Sequence, residues 1–597
     1  MTEVGNYDKN IPFIDAFLTR EDLKKYGNKG NALILYALQL KYKLEDLDSV
    51  AADSLIDGPN DKKCDLVYID RDSGEVVIAQ GYYSDNPSRK EAKANKASDL
   101  NTAIGWLITR DISEVPSNIK STAIALREAI ESKEIRSIKI WFVHNLEESQ
   151  NVLDELKTVE NTAKHVISSK YPKIDIEIEA SEIGRNTLED WYEDLEYKIL
   201  VTESFEIEVP GGYPIHGEEW SAFVTTVSAK WLHSLYQKYK EKLFSANVRD
   251  FLGVRNSDRN INFGIKNTAE KNPDNFWVYN NGITALVNNI DILGDKKLKI
   301  DGLSIVNGAQ TTGAIGTLSS PPSEKARVPI RFVMCNNAST VEDIIKYNNT
   351  QNKIEASDFR SNDSIQQRLR NEFRAKFPNI KYYGARRGHN IIRRTPPDLI
   401  PSESAAQALV AFHIDPIIAY HEKTKIWIDN KLYSKVFNEN TSAEHIVFVY
   451  SLLKSIERIK IDLVNKKDSE GDEENKNKLS DAESNYLTFL RNRGAKFLLL
   501  TAIAECLETI IGEKIPNSFR LGFKKVEYLD EAINSWLPIV RSVLPFHRQL
   551  SEALKDGLKS KENVKRSITN FCSMVESMCY ATPNLPSFKE FREKIVY

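Results

Sequence analysis

Cysteine is scarce in this sequence, and long apolar runs are absent. Its 5 cysteines are scattered over 597 residues without the spacing of a metal site or a disulfide framework, which favours a reducing compartment. No basic segment followed by an apolar run opens the chain, so no signal peptide is expected. No stretch approaches the ~20 apolar residues that a membrane span needs. We therefore expect a cytoplasmic protein without a membrane partner.

The sequence also lacks an excess of charge of either sign. Its net charge of −4 excludes a uniformly basic coat for nucleic acid, although a local basic groove stays compatible with it. Hydrophobic residues make up 41% and charged residues 28%, which is the composition of a folded protein. Because one core rarely exceeds roughly 250–300 residues, a chain of this length is expected to form two or three domains.

The pattern of apolar residues predicts an α/β fold in three regions. Strands at 66–70, 75–83, 137–143 and 173–179 alternate with helices at 30–45, 91–107 and 148–168, which predicts an α/β domain over residues 1–200. Residues 201–435 form a second, mixed α/β region rich in Asn, Gly and Thr, with strands expected at 204–209, 282–288, 298–306 and 328–334 and a helix at 220–243. Residues 436–597 are expected to be helical.

A β-hairpin near the amino terminus has the first pattern that suggests chemistry. Residues 71–74 contain Asp, Ser and Gly and predict a four-residue turn. The register that follows from this turn places Asp65 opposite Gln80, with Cβ atoms ~4.5–5.5 Å apart. Tyr82 is expected on the same face as Gln80, because side chains on a strand alternate.

An Asp opposite a Gln is typical of the metal site of PD-(D/E)xK nucleases. Both side chains offer hard oxygen ligands for Mg²⁺ or Mn²⁺, and the metal activates water. The residue two positions after the Gln is usually Lys in these enzymes, but here it is Tyr82, which has no fixed positive charge. Lys93 and Lys96, expected on one face of the helix at 91–107, are the candidates to replace it. The simpler interpretation is an ordinary hairpin followed by an exposed helix.

The central region contains two polar turns beside predicted strands. Asn280 and Asn281 precede a glycine and a strand, and Asn307 opens the run Asn-Gly-Ala-Gln310-Thr311 after another strand. Asn and Gly tolerate positive φ, and free N–H groups at a helix start favour an anion such as phosphate. These five residues are therefore candidates to bind nucleic acid or a nucleotide. Two tight turns without a ligand are the simpler interpretation.

Three arginines extend this set of candidates. Arg249 lies in Asn-Val-Arg-Asp-Phe-Leu-Gly, and Arg386 and Arg387 lie in Lys-Tyr-Tyr-Gly-Ala-Arg-Arg-Gly, the densest basic patch of the chain. Basic residues interleaved with aromatic ones suit phosphate pairing and base stacking. A solvated loop is the alternative interpretation of that patch.

Six motifs, in this order along the chain, resemble those of the AIPR (abortive infection phage resistance) family. They are Asn-Val-Arg-Asp-Phe-Leu-Gly, Phe-Trp-Val-Tyr-Asn-Asn-Gly-Ile-Thr, Ile-Val-Asn-Gly-Ala-Gln-Thr-Thr, Asn-Asn-Thr-Gln-Asn-Lys-Ile, Arg-Ser-Asn-Asp and Tyr-Tyr-Gly-Ala-Arg-Arg-Gly. The resemblance covers roughly residues 200–420. It implies a bacterial anti-phage protein with an AIPR-type central domain and an amino-terminal nuclease domain of the restriction-endonuclease-like fold.

These observations lead to three hypotheses. The first is a Mg²⁺-dependent or Mn²⁺-dependent nuclease of phage defence, in which Asp65 and Gln80 bind the metal and the central region recognises DNA or RNA and controls cutting. The second is a non-catalytic sensor with a degenerate nuclease fold, which Tyr82 favours. The third is a nucleotide-binding switch at residues 307–312. A phage-encoded or host protein is the expected trigger, and a homodimer is the default oligomer because cyclic dimers are the commonest.

Overall fold

The computed structural model describes residues 12–56, 61–86, 88–193, 199, 201–244, 256–294, 296–349, 360, 363–384, 398–468, 479–583 and 585–597. The chain divides into two compact units: Met1–Leu188 together with Glu355–Tyr597, and Glu189–Ile354. Packing thus assigns the amino-terminal and carboxy-terminal regions to one unit. The predicted domain limits at residues 200 and 435 stay predictions.

The amino-terminal part of the first unit is a mixed sheet with helices on both faces. Its elements are α1 (Pro12–Leu18), α2 (Lys29–Tyr42), α3 (Leu47–Ser54), β1 (Leu66–Asp70), β2 (Glu75–Tyr82), α4 (Ala94–Ser98), α5 (Leu100–Ile104), α6 (Ser117–Glu131), β3 (Ser137–His144), α7 (Gln150–Lys170), β4 (Glu177–Ile183) and α8 (Arg185–Glu193). The strand order is β1-β2-β3-β4. The first pair is antiparallel and the next two are parallel.

Each face of this sheet buries one set of alternating apolar residues. Val76 and Ile78 of β2 lie in a buried cluster with residues of α4 to α7, such as Leu126 and Leu156. The opposite face packs against α2 so closely that a Cβ on Gly81 would lie 2.6 Å from a carbonyl oxygen of that helix. The carboxyl ends of β2, β3 and β4 therefore meet at one edge, between two packed layers of helices.

The carboxy-terminal part of the first unit is helical, as predicted. Its elements are α14 (Ser364–Lys376), α15 (Ser402–His413), α16 (Pro416–His421), α17 (Lys423–Ile428), α18 (Asn430–Val436), α19 (Ala443–Asp468), α20 (Asp481–Leu490), α21 (Ala495–Glu505), α22 (Leu507–Ile511), β12 (Gly522–Phe523), α23 (Leu529–Val543), α24 (Ser551–Leu554), α25 (Lys561–Ala581), α26 (Pro586–Lys594) and β13 (Ile595–Val596). These helices surround one large apolar core.

Buried ion pairs join the helical part to the amino-terminal part. Lys454 and Lys496 both bond to Glu457, which is 2% exposed. Lys454 also reaches Asp46 at 2.5 Å, and Lys496 reaches Asp53 at 2.8 Å. Because a buried charge without its partner is costly, this network makes the two parts depend on each other for stability.

The second unit is built on a seven-stranded sheet with the order β5-β10-β8-β11-β7-β6, to which β9 is added beside β10. Its elements are β5 (Val201–Glu208), β6 (Tyr213–His216), β7 (Trp220–Ser228), α9 (Ala229–Tyr239), α10 (Asn256–Lys271), α11 (Phe276–Tyr279), β8 (Ile283–Val287), β9 (Asn289–Ile292), β10 (Lys297–Asn307), α12 (Ala309–Gly316), β11 (Arg327–Cys335) and α13 (Ala338–Asn349). Strand β8 is antiparallel to β10 and parallel to β11.

Most predicted elements are confirmed, but two predicted helices begin later than expected. The chain is mixed α/β with a helical carboxy-terminal region. The predicted helix at 220–243 is a strand until Ser228, because its β-branched and aromatic residues pair with β6 and β11. The predicted helix at 91–107 begins only at Ala94 and is interrupted at Asp99. Within the described residues, no helix combines the length and apolarity that crossing a bilayer requires.

Candidate functional site

The amino-terminal hairpin has the register that its turn predicts. Leu66 pairs with Ala79, and the same register continues to the turn. Asp65 lies one residue before β1. Its amide donates to the Ala79 carbonyl at 3.0 Å, and its Oδ2 accepts a hydrogen bond from the Gly81 amide at 2.8 Å. Asp65 is thus held beside residues 79–81 of β2.

The Asp65 carboxylate is in an environment that disfavours its charge. Burial is the largest cause and raises the pKa of Asp65 to about 6. The Gly81 hydrogen bond and the positive charges of Lys96 and Lys63 act in the opposite direction, and the charge of Asp61 adds to the increase. A carboxylate whose pKa is strongly perturbed by burial beside cations is a candidate for a functional group.

Gln80 has a buried oxygen that is not satisfied. The residue is 7% exposed, and its Oε1 has no hydrogen-bond partner among the described residues. Leaving such an acceptor unpaired costs about 1–3 kcal/mol. A water molecule, a metal ion or a substrate donor would remove that cost, so Gln80 is suited to contact a ligand.

The residues present fit a divalent cation in part. Asp65 and Gln80 offer a carboxylate and an amide oxygen, which are hard ligands suited to Mg²⁺ or Mn²⁺. No group of three or more His, Cys, Asp or Glu side chains with metal-binding geometry occurs among the described residues. Magnesium usually keeps several waters and binds through one or two carboxylates plus substrate phosphate, so the protein need not supply every ligand.

The two candidate lysines occupy different positions. Lys96 lies in α4, is partly buried, and is near enough to lower the pKa of Asp65. Lys93 is exposed and precedes the helix with an extended backbone (ψ 123°). The shared helical face predicted for these lysines is therefore wrong, and Lys96 is the one placed beside Asp65.

Tyr82 is paired with an arginine that the sequence analysis missed. The Tyr82 hydroxyl accepts a hydrogen bond from Arg89 Nη1 at 2.6 Å. The guanidinium carbon of Arg89 also lies 5.7 Å from the centre of the tyrosine ring. Arg89 belongs to none of the motifs described above. The only sequence signal for its role is its position, seven residues after Tyr82 and beyond the end of the strand.

In the second unit, the two polar turns meet at one edge of the sheet. The Asn280 side chain donates to the Thr311 hydroxyl at 3.0 Å and accepts from the Gly282 amide at 2.9 Å. Gly308, which precedes α12, has a φ of +99° that non-glycine residues rarely adopt. Turns that are separate in sequence are therefore bonded to each other in space.

Arg331, which was also missed, connects a third motif to this edge. It donates to the Thr284 hydroxyl at 2.7 Å and to the Asn348 side chain at 2.9 Å. Asn307 in turn donates to the backbone carbonyl of Asn348 at 2.9 Å. This network follows from the sheet, because parallel pairing places Arg331 beside Thr284 and antiparallel pairing places Asn307 beside Thr284.

The remaining candidates lie at this edge or outside the described residues. Asn281 is exposed, and Gln310 is partly buried in the first turn of α12. Trp277 and Tyr279, close to Asn280 in sequence, are 50% and 70% exposed. Exposed aromatic rings next to amide side chains suit base stacking. Arg249, Arg386 and Arg387 lie outside the described residues.

Comparison with known proteins identifies one family. The family model described as AIPR protein matches residues 244–577, more than half of the chain. The match confirms the family suggested by the six motifs, and it extends into the carboxy-terminal helices. The amino-terminal sheet with Asp65 lies outside it. No curated protein and no solved structure matches the chain.

Proposed function

This chain belongs to the AIPR family, and we propose that it is a metal-dependent nuclease of phage defence whose cutting site contains Asp65 and Gln80. Family membership supports a bacterial abortive-infection role. The nuclease assignment goes further and depends on the amino-terminal sheet, which the family match does not cover.

One observation carries the assignment. The Asp65 carboxylate and the Gln80 amide oxygen lie on neighbouring segments of one hairpin. Burial disfavours the charged form of Asp65 and raises its pKa, and the buried Gln80 oxygen has no hydrogen-bond partner among the described residues. Strongly perturbed pKa values cluster at functional sites, and a bound water or ion can complete the hydrogen bonding of a buried polar atom. The mixed sheet between two helical layers also suits a restriction-endonuclease-like domain, which has an antiparallel hairpin followed by parallel strands.

In the proposed reaction, a bound Mg²⁺ or Mn²⁺ would supply an activated water and stabilise negative charge on the phosphate. Asp65 and Gln80 would hold the ion with their oxygens. The Gly81 amide fixes the orientation of the Asp65 carboxylate through its bond to Oδ2. Lys96 contributes positive charge next to Asp65, which favours the ionised carboxylate that metal binding needs.

The second unit is proposed to recognise DNA or RNA and to control when cutting occurs. Its sheet edge combines an arginine, several amide side chains and two exposed aromatic rings, the residue types that contact phosphate, base edges and base faces. Its own chemistry supports binding rather than cleavage, because the bonded Asn, Thr and Arg residues include no carboxylate or imidazole that could act as a base. A phage-encoded or host trigger and a homodimer remain part of this proposal.

Cleavage assays test the assignment directly. The full chain would be incubated with DNA and RNA substrates and Mg²⁺ or Mn²⁺, beside the variants Asp65→Ala and Gln80→Ala. Asp154→Ala is the matched control, because this carboxylate is exposed on α7 of the same part of the chain. Metal-dependent cleavage that Asp65→Ala abolishes and Asp154→Ala retains is expected. Equal cleavage by Asp65→Ala would refute the assignment.

A second candidate function is favoured by Tyr82. With a tyrosine in the lysine position, the amino-terminal domain could serve as a non-catalytic sensor that binds nucleic acid or a protein. Calorimetry separates the two proposals. A wild-type chain that binds nucleic acid but neither Mg²⁺ nor Mn²⁺ would support the sensor, whereas metal binding lost in Asp65→Ala would support the nuclease.

A further inference from the structure

We propose that Arg89, positioned by Tyr82, binds a backbone phosphate of the nucleic-acid substrate next to Asp65 and Gln80. This inference rests on the proposed nuclease function and extends it to a residue that no motif identifies. It also gives Tyr82 a role. The tyrosine holds Arg89, and the arginine supplies the positive charge that the usual lysine would provide.

Tyr82 connects Arg89 to the strand that carries Gln80. Gln80 and Tyr82 project from the same face of β2, and their Cα atoms are about 6.6 Å apart along an extended strand. The hydrogen bond and the ring contact to Tyr82 therefore bring the guanidinium group to the face that carries the unpaired Gln80 oxygen. A substrate phosphate bound near Gln80 would have Arg89 as a neighbour.

The segment that carries Arg89 is fixed at both ends. Before it, Ser84 and Asn145 exchange two hydrogen bonds between backbone and side chain, and both residues are buried. After it, the Lys90 carbonyl accepts from the Glu147 amide, and Glu91 forms a parallel bridge with Glu147. Ser84 and Glu91 are thus both bonded to residues that directly follow β3. Arg89 is presented by an anchored backbone, which reduces the entropy lost when it binds a phosphate.

Within the described part of the chain, Arg89 forms no ion pair with an acidic residue. Among the described residues no carboxylate lies within ion-pair distance of it. Asp85, four residues earlier, pairs instead with Lys29, and Glu147, whose amide donates to the Lys90 carbonyl, pairs with Arg185. Tyr82 is a neutral acceptor for one of the five guanidinium N–H donors, so most donors remain for a ligand. A positioned arginine whose charge is not compensated, beside a proposed phosphodiester site, is suited to bind phosphate.

The salt dependence of binding tests this role without requiring cleavage. The full chain would be titrated with a labelled single-stranded DNA and its duplex, in EDTA, over a series of salt concentrations. Each phosphate contact that is lost reduces the slope of log K against log[salt] by about 0.7 for single strands and about 0.9 for duplex. We expect Arg89→Met to lower the slope by about one contact, Arg89→Lys to retain it, and Tyr82→Phe to weaken binding with a smaller change of slope.

Lys90→Met is the matched control, because this lysine is exposed, adjacent, and held through its backbone rather than its side chain. It should leave the slope unchanged.

If Arg89→Met has the wild-type slope and affinity while Asp65→Ala abolishes cleavage, the inference about Arg89 is wrong and the nuclease function stands. If the wild type fails to cleave but Arg89→Met lowers the slope, the nuclease function is wrong and the phosphate contact stands. A slope lost equally in Lys90→Met would also overturn the specific role of Arg89.

Discussion

Replacing Asp65 by Asn should make the protein more stable at neutral pH while it abolishes the proposed activity. Burial raises the pKa of Asp65 to about 6. An unfolded Asp has a pKa of ~3.9, so the folded state holds this proton more tightly than the unfolded state does. Ionisation at neutral pH therefore reduces stability. The Asn side chain retains an acceptor for the Gly81 amide but carries no charge.

The size and the pH window follow from the same shift. A difference of roughly two pKa units corresponds to about 3 kcal/mol, which is an upper estimate of the gain in the free energy of unfolding. The penalty in the wild type is absent below pH ~4, grows between pH ~4 and ~6, and is complete above that range. The stability advantage of Asp65→Asn should therefore appear as pH rises through this window and be constant at higher pH.

Urea unfolding of the wild type and of Asp65→Asn, each without divalent metal, measures this difference at a series of pH values. Asp154→Asn is the control and should show no such change, because its carboxylate is exposed. Added Mg²⁺ should raise the unfolding midpoint of the wild type and leave that of Asp65→Asn unchanged, because a bound cation would stabilise the ionised carboxylate. A variant that is less stable than the wild type at neutral pH, or a difference that does not vary with pH, would refute the reasoning.

Three further predictions concern the packing of the first unit. Gly81→Ala should lower the free energy of unfolding in urea by about 1–3 kcal/mol, since the added Cβ would lie 2.6 Å from the Gly30 carbonyl oxygen. Gly105→Ala, whose added Cβ would meet no atom within 4 Å, should be tolerated in the same titration. Glu457→Ala should lower the free energy of unfolding in urea by about 3–5 kcal/mol, because it leaves two buried lysines without their shared partner. A loss below about 1 kcal/mol would contradict the stabilising role of this network. Burial lowers the pKa of His445 to about 4, so the unfolded state binds a proton at higher pH than the folded state does, and the free energy of unfolding should fall as pH falls from ~6.5 to ~4. A His445→Gln variant that loses the same stability over this range would show that another group is responsible.

The hairpin register was predictable because it depends on local chemistry. Four turn residues set the pairing of the strands on either side, and the observed pairs from Leu66–Ala79 to the turn follow it. The strands at 282–288, 298–306 and 328–334 were predictable for a related reason, since each is a short segment rich in β-branched or alternating apolar residues. The segment at 220–228 was not, because a short apolar run suits a helix or a strand until its neighbours β6 and β11 are known.

The sequence did not identify Arg331 or Arg89, the arginines of the two candidate sites. Arg331 bonds to residues 47 and 17 positions away, so no local motif contains the network. Arg89 lies near Tyr82 in sequence, but its orientation depends on the anchoring of its segment by Asn145, which is 61 residues from its partner Ser84. Charge and spacing alone could not distinguish these arginines from the many solvated cations of the chain.

The sequence by itself determined the family, the mixed α/β class with helical carboxy-terminal region, the hairpin, and the residue types of both candidate sites, because these depend on local periodicity, turn chemistry and ordered motifs. Only the tertiary structure decided which polar groups are buried, which are paired, and which remain without a partner. Burial and the pairing of distant residues determine whether Asp65 is disfavoured as an anion, whether the Gln80 oxygen is satisfied, and whether Arg89 keeps its charge available. These properties arise from contacts between segments far apart in the chain, and no window of sequence contains them.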